Sequence, residues 1–303
     1  MALLKLKPAL KDYIWGGYRL ADEYGKAKSG VKIAETWELS CYPDSPSVIE
    51  NGEFKGQTLE EYIRNAGKEV LGDNCRSFEF FPLLIKLIDA HDDLSIQVHP
   101  DNDYAKRHEK SYGKTEMWYI LDAAEDSYIC CGFDRELTKQ EFARRLEENT
   151  FMEVVKKIKV SKGDIIFINP GTLHSIGKGI LTAEIQQNSD ITYRIYDYGR
   201  KDKDGRARQL HIDKALDVTR LAPTGKTSDF APHIGKCDYF TVDLLKTEDK
   251  AYFEVDGTSF KHLLFTDGEG KISAYGESLD FAKGSSFFIG AGSGGVTIEG
   301  RAE

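Results

Sequence analysis

The chain has 303 residues, 30% of them charged, with a formal net charge of −9. That length allows one large domain or two ordinary ones with well-buried cores. The acidic balance excludes the clustered basic face of a nucleic-acid binder, and an anionic ligand would need a local nest of Arg and Lys.

The opening "MALLKLKPAL" carries Lys5, Lys7 and Pro8 around no long apolar core, so it does not read as a signal peptide. No apolar run approaches the roughly 20 residues of a spanning helix. The cysteines, Cys41, Cys75, Cys130, Cys131 and Cys237, are odd in number, scattered and without a CxxC pair. They read as reduced thiols packed as small hydrophobes in a cytoplasmic protein.

Frequent glycine, 11% aromatics and short alternating runs give a mainly β pattern with a few helices added. In chain order the strands expected are "AETWELS", "PLLIKLIDA", "LSIQVH", "EMWYILDA", "SYICCGF", "DIIFIN", "ILTAEIQQ" and "TYRIYDY". After a break near "RLAPTGKTSDFAPHIG" follow "YFTVDLL", "AYFEVDG", "KHLLFTD", "GKISAYG" and "SSFFIG". Helices announce themselves by caps. Thr58 with Glu61 opens one over about 58–70, Asp101 or Asn102 one over about 101–110, and Thr138 with Glu141, then Thr150 with Glu153, two within about 138–157.

An internal repeat organises the chain. "KGDIIFINPGTLHSI" from Lys162 overlays "KGSSFFIGAGSGGVTI" from Lys283, with Lys162, Gly163, Phe167, Ile168 and Gly171 matching Lys283, Gly284, Phe288, Ile289 and Gly292. Upstream, "EMWYILDAAEDSYICCG" resembles "FKHLLFTDGEGKISAYG". His174 then falls opposite Gly295 and Glu116 opposite Phe260. The second copy has only a short loop between Gly276 and Gly284. We expect residues 1–225 to form a catalytic domain carrying the helical insertions. Residues 234–303 should form a smaller β-barrel, a degenerate copy without metal ligands.

Leu94, Ile96 and Val98 alternate with Ser95, Gln97 and His99, so the three polar residues share one strand face. Glu116 begins the next clear strand, and His174 follows the turn "NPGTL". Imidazole nitrogens and a carboxylate oxygen suit zinc, manganese or iron, and the Gln97 carbonyl adds a neutral donor. Taken singly, a strand histidine or a strand-starting glutamate is more often a hydrogen-bonded or solvated residue. Lys114 lies two residues before Glu116, Glu184 sits on "ILTAEIQQ", and Arg194 follows the turn "NSD". A cation beside a metal can hold a phosphate or an oxyanion, although isolated Lys and Arg mostly form surface salt bridges.

"LSIQVHPD", "GKTEMWYI", "PGTLHSIGKGILTAEIQQNSDITYRIYDYGRKD" and "LHIDKAL" resemble type I mannose-6-phosphate isomerase (phosphomannose isomerase) in its short bacterial form, a cupin family. "YIWGG", "AETWELS" and "NGEFKGQTLEEY" agree with it. The likeness runs over residues 5–220 and more weakly to the end. Two departures from general cupin patterns stand out. Gln97 takes the place of a first-motif histidine, and Glu116 is displaced downstream. In the second motif Asn169 stands where proline is usual, and Pro170 follows.

The resemblance implies two cupin jelly-roll units and one zinc ion per chain, bound by Gln97, His99, Glu116 and His174. It places Arg194 at a catalytic position, with Glu184, Lys114 and Ser95 beside it. The implied reaction interconverts mannose 6-phosphate and fructose 6-phosphate through an enediolate. Glu184 is the first candidate base and Lys114 the second; Ser95, Lys114 and Arg194 are the candidate substrate contacts. Two other classes stay open: a non-catalytic sugar-binding cupin and an iron-dependent cupin oxygenase. The expected partner is a small sugar phosphate, with no nucleic acid or membrane, on a monomer or weak homo-oligomer. "GRKDKDGRAR" reads as a solvated hairpin tip in preference to a lid whose Arg residues meet phosphate.

Overall fold

Strands carry the chain from Leu3 to Ala302 in the computed structural model, which describes residues 3–201, 204–224 and 229–303. The mainly β, jelly-roll expectation holds. Among the described residues no helix is long and apolar enough to cross a membrane. All five cysteines are free thiols, four of them buried.

Two compact units divide the chain differently from the boundary drawn at 225–234. One comprises residues up to Asp12, Tyr18–Leu87 and Ala231–Glu303; the other comprises Tyr13–Gly17 and Ile88–Phe230. The N-terminal segment joins the C-terminal one because Leu3–Lys7 is itself a strand. It pairs antiparallel with Ser286–Ile289, Leu3 opposite Ile289, and buries Leu3, Leu4 and Leu6. The alternation in "LLKLK" suits this strand, but the partner it needs lies at the far end of the chain.

In the second unit, three neighbouring strands of one sheet lie in the order Ile165–Ile168, Glu116–Ala123, Ile180–Gln187. The other runs Tyr193–Tyr196, Ile96–Val98, His174–Ile176, Tyr128–Phe133, Val155–Lys159. One face of the latter is apolar. Ile96, Val98, Tyr193 and Ile195 pack there with Phe142 of the Lys139–Glu147 helix and Ala215 of the Ile212–Val218 helix. The alternating residues Gln97 and Arg194 are thereby turned to the opposite face.

Caps set three helices as expected. Thr58 and Glu61 form a reciprocal capping box for Leu59–Ala66, Asp101 caps Asn102–His108, and Thr138 caps Lys139–Glu147. The fourth differs. Thr150 makes no side-chain cap, and only a single 3-10 turn, Phe151–Glu153, forms. Val155–Lys159 is instead a strand, whose β-branched residues suit an edge of the sheet better than a helix.

The repeat is visible as a pairing pattern. Glu116–Ala123 pairs with Ile165–Ile168 and Tyr128–Phe133 with His174–Ile176, while Lys261–Leu264 pairs with Ser286–Ile289 and Gly268–Ala274 with Gly294–Ala302. Ile168 faces Glu116 and Ile289 faces Lys261, so Glu116 corresponds to Lys261, one residue from the sequence alignment. The expected short loop after Gly276 is also a strand, Glu277–Ala282. Tyr275 and Gly276 make a two-residue hairpin turn with φ of 57° and 76°, and a tyrosine in that conformation is a poor sequence signal.

Candidate metal centre and active site

Gln97 is the cross-strand partner of His174 on one side and of Arg194 on the other. Opposed residues of antiparallel neighbours point to the same face, so three strands deliver these side chains together. His99 lies just past Ile96–Val98, where Pro100 ends the pattern. Glu116 opens its strand on the other sheet. His99, Glu116 and His174 are all at most 1% exposed, and their donor atoms lie within 4.8 Å of one another.

Hydrogen bonds fix which ring nitrogens face the centre. His99 Nδ1 donates to the Ile191 carbonyl at 2.7 Å, and His174 Nδ1 to the Thr172 carbonyl at 2.8 Å. A carbonyl only accepts, so each Nδ1 carries the proton and each Nε2 presents a lone pair. These two lone-pair atoms sit 3.1 Å apart. Glu116 adds Oε1 at 3.3 Å from His174 Nε2 and Oε2 at 3.6 Å from His99 Nε2. Burial holds the His174 imidazole down at about 4, so it is neutral at physiological pH. Buried acceptors aimed at one another repel, and a divalent cation among them converts the repulsion to coordination. The donor set therefore fits a metal, and backbone carbonyls behind both imidazoles are the support that metal-binding histidines use.

Gln97 Nε2 lies 3.4 Å from His174 Nε2, while Gln97 Oε1 accepts from Ser95 Oγ at 3.2 Å. A flip of the amide exchanges the two atoms and brings Oε1 to the centre as a fourth oxygen or nitrogen donor.

Around the centre, Lys114 Nζ sits 2.9 Å from Glu116 Oε2 and 3.7 Å from Glu184 Oε1. Glu184 Oε2 accepts from the Trp118 indole N–H at 2.9 Å. Lys114, Glu184 and Ser95 are buried and Arg194 is half-buried. Arg194 Nη1 donates to the Gln209 carbonyl at 2.9 Å. Burial, then the neighbouring Arg208, lowers the Arg194 guanidinium from its ordinary value. Trp118 was not singled out from the sequence. Its place two residues after Glu116, on the same strand face, was the signal that could have found it. It also stands edge-on to His174, ring centres 5.6 Å apart.

The "GRKDKDGRAR" stretch is more than a solvated tip. Arg200 Nη2 and Arg208 Nε converge on the buried Asp197 at 2.6 and 2.7 Å, anchoring the described ends of the loop. Residues 202 and 203 lie outside the described residues.

The chain matches the catalytic domain of type I phosphomannose isomerase over residues 3–147 and the cupin domain of mannose-6-phosphate isomerase over 232–303. It is 38% identical to a probable mannose-6-phosphate isomerase of Bacillus subtilis, over 99% of this chain and 97% of that one. The crystal structure of the mannose 6-phosphate isomerase from Bacillus subtilis superposes with a TM-score of 0.92 at 33% identity, covering 100% of this chain and 98% of that one. A zinc-bound mannose 6-phosphate isomerase, 17% identical, shares the fold over 100% of this chain and 98% of its own at a TM-score of 0.77. With the full length of the chain matched and a buried His–Glu–His cluster in place, the chain belongs to the type I mannose-6-phosphate isomerase family.

Proposed function

We propose that this chain interconverts mannose 6-phosphate and fructose 6-phosphate, with zinc held by Gln97, His99, Glu116 and His174. The observation that carries the reading is the pair of imidazole Nε2 atoms 3.1 Å apart, each fixed as an acceptor by its own Nδ1 hydrogen bond. A bound divalent ion supplies Lewis-acid polarisation of the substrate oxygens without redox chemistry. The amide and basic groups around the centre argue against the oxygenase alternative, whose chemistry favours a His-rich donor set. An intact donor set argues against a non-catalytic sugar binder.

Residues of the chain carry the proton. In the aldose-to-ketose direction Glu184 takes the hydrogen from C2 and returns it to C1, while the O2 proton passes to O1. The indole N–H of Trp118 fixes the Glu184 carboxylate for this transfer. Lys114, between two carboxylates, serves as a held positive charge facing the enediolate. Arg194, beside Gln97 on the neighbouring strand, offers a second cation to the enediolate or the phosphate. Ser95 orients the Gln97 amide and borders the substrate. In this reading Tyr13–Gly17 and Ile88–Phe230 form the catalytic unit, the ligand is a small sugar phosphate, and the setting is cytoplasmic.

A coupled assay for fructose 6-phosphate formation, run before and after chelation and after zinc is restored, tests it. Activity should vanish on chelation and return with zinc. No activity with zinc restored sinks the isomerase reading.

A further inference from the structure

The end of the Ile180–Gln187 strand and the turn after it are buried, polar and unassigned to any step above. Gln186 is fully buried and stands opposite Glu116 in the ladder. Its side-chain amide does not point at solvent. Nε2 donates to the Gln187 carbonyl at 2.8 Å and to the Ser189 carbonyl at 2.6 Å. Both partners are acceptors, so the amide orientation is unambiguous. Ser189 Oγ in turn donates to the Tyr112 carbonyl at 2.9 Å. Two residues later the same turn supplies the Ile191 carbonyl that holds the His99 ring.

Gln187 ties the other side. Its Oε1 accepts from the Thr115 N–H at 2.8 Å, and its own N–H donates to the Thr115 carbonyl at 3.1 Å. Gln187 Nε2 donates to Asn102 Oδ1 at 3.0 Å, which also receives the Gly113 N–H at 2.8 Å. The Lys114 N–H donates to the Pro100 carbonyl at 3.0 Å. The approach of these segments is close. A Cβ on Gly113 would lie 2.4 Å from the Asp101 carbonyl carbon and 2.5 Å from the Asn102 nitrogen. The segment leaving His99, the segment entering Glu116 and the carbonyl behind His99 are thus joined through one four-residue stretch, 186–189.

We infer that Gln186 and Gln187, with Ser189, are positioning residues for the metal centre, setting the His99 tautomer and the spacing of His99 from Glu116. This rests on the metal reading of the site. Direct hydrogen-bond partners of a metal ligand typically tune affinity 10- to 100-fold, and Gln186, Gln187 and Ser189 act one step further out, by holding the turn that carries the Ile191 carbonyl and the Thr115 backbone. A merely structural role would cost stability and leave the centre unchanged.

The test compares Gln186→Met, which keeps the volume but donates nothing, with Thr182→Val. Thr182 is equally buried on the same strand and donates to the Tyr119 carbonyl at 2.9 Å, away from the ligands. Ser189→Ala is the milder companion should Gln186→Met fail to fold. Zinc affinity is read by competition with a chromophoric chelator, and coordination geometry by the visible spectrum of the cobalt-substituted protein. The expected result is a 10- to 100-fold weaker zinc affinity and an altered cobalt spectrum in Gln186→Met, a smaller loss in Ser189→Ala, and parental values in Thr182→Val. Parental affinity and spectrum in both Gln186→Met and Ser189→Ala, or equal loss in Thr182→Val, overturns the inference. If Gln186→Met does not fold, Ser189→Ala decides alone. A parent protein that binds neither zinc nor cobalt overturns the metal reading and this inference with it.

Discussion

Trp118→Phe isolates one hydrogen bond. The indole N–H reaches Glu184 Oε2 at 2.9 Å inside a site where Glu184 is 4% exposed, and the ring also packs edge-on against His174. Phenylalanine keeps most of the packing and loses the donor. A hydrogen bond to a buried charged group is worth about 1.5–3 kcal/mol, which is about 10- to 150-fold in rate if it holds the proton carrier in place at the transition state. We expect kcat to fall within that range, with zinc content equal to the parent. Glu184→Gln should cost more, about 10²- to 10⁴-fold, the usual contribution of a general base. Because Trp118 acts through Glu184, the double variant should be no worse than Glu184→Gln, a non-additivity expected of coupled neighbours. The measurement is kcat by fructose 6-phosphate formation alongside metal analysis of the same samples. Parental kcat in Trp118→Phe refutes the reasoning. So does loss of zinc in step with activity, which would assign the indole to packing on His174.

Arg194→Ala should cut turnover by orders of magnitude and leave zinc content intact; loss of zinc would make Arg194 structural. His174→Ala removes one of the facing acceptors and should abolish both zinc retention and activity, read by elemental analysis after dialysis. A last prediction concerns the other unit. His262 is half-buried and meets Ser286 Oγ, and desolvation, then the charge of Lys26, lowers its imidazole to about 3. The folded protein therefore binds fewer protons than the unfolded chain between about pH 3 and 6.5. Stability is full above that window and lost as pH falls through it. At pH 5 the loss is about 2 kcal/mol. Denaturant unfolding of metal-free protein at pH 7.5 and 5.0 should show His262→Gln losing less over that interval than the parent. An equal loss in the two would place the pH dependence elsewhere.

Much of the site was legible because strands write their faces at period two. Gln97 and His99 could be paired from "LSIQVH", and Lys114 with Glu116 from their spacing, because the backbone alone decides which side they take. What spacing does not encode is the identity of cross-strand partners. That Gln97 lies between His174 and Arg194, or Gln186 opposite Glu116, depends on register, which long-range pairing sets. The hydrogen bonds that fix tautomers are equally invisible, since Ile191 and Thr172 act through their carbonyls and any residue supplies one. The strand at Leu3–Lys7 was missed for the same reason: its partner, Ser286–Ile289, lies at the far end of the chain.

The two copies of the repeat show what separates a working interior from a structural one. In the first unit Lys26 Nζ donates to Glu38 Oε2 at 2.7 Å, Thr36 Oγ1 to Glu38 Oε1 at 2.6 Å, and Ser286 Oγ to the Glu38 carbonyl at 3.2 Å. His262 Nε2 meets Ser286 Oγ at 2.8 Å. Each donor there has an acceptor, so the cluster is complete as protein and holds its buried charges without help. In the second unit the same kind of residues, two histidines and a glutamate, are arranged with lone pairs converging and their protons turned away to carbonyls. Lys114 at 2.9 Å neutralises part of the Glu116 charge, but the two imidazole Nε2 atoms still face each other 3.1 Å apart, and burying that pair costs stability. A site that keeps such a mismatch at its centre is built for a ligand that resolves it, and a composition of His, Glu and Lys alone could not have distinguished the two interiors.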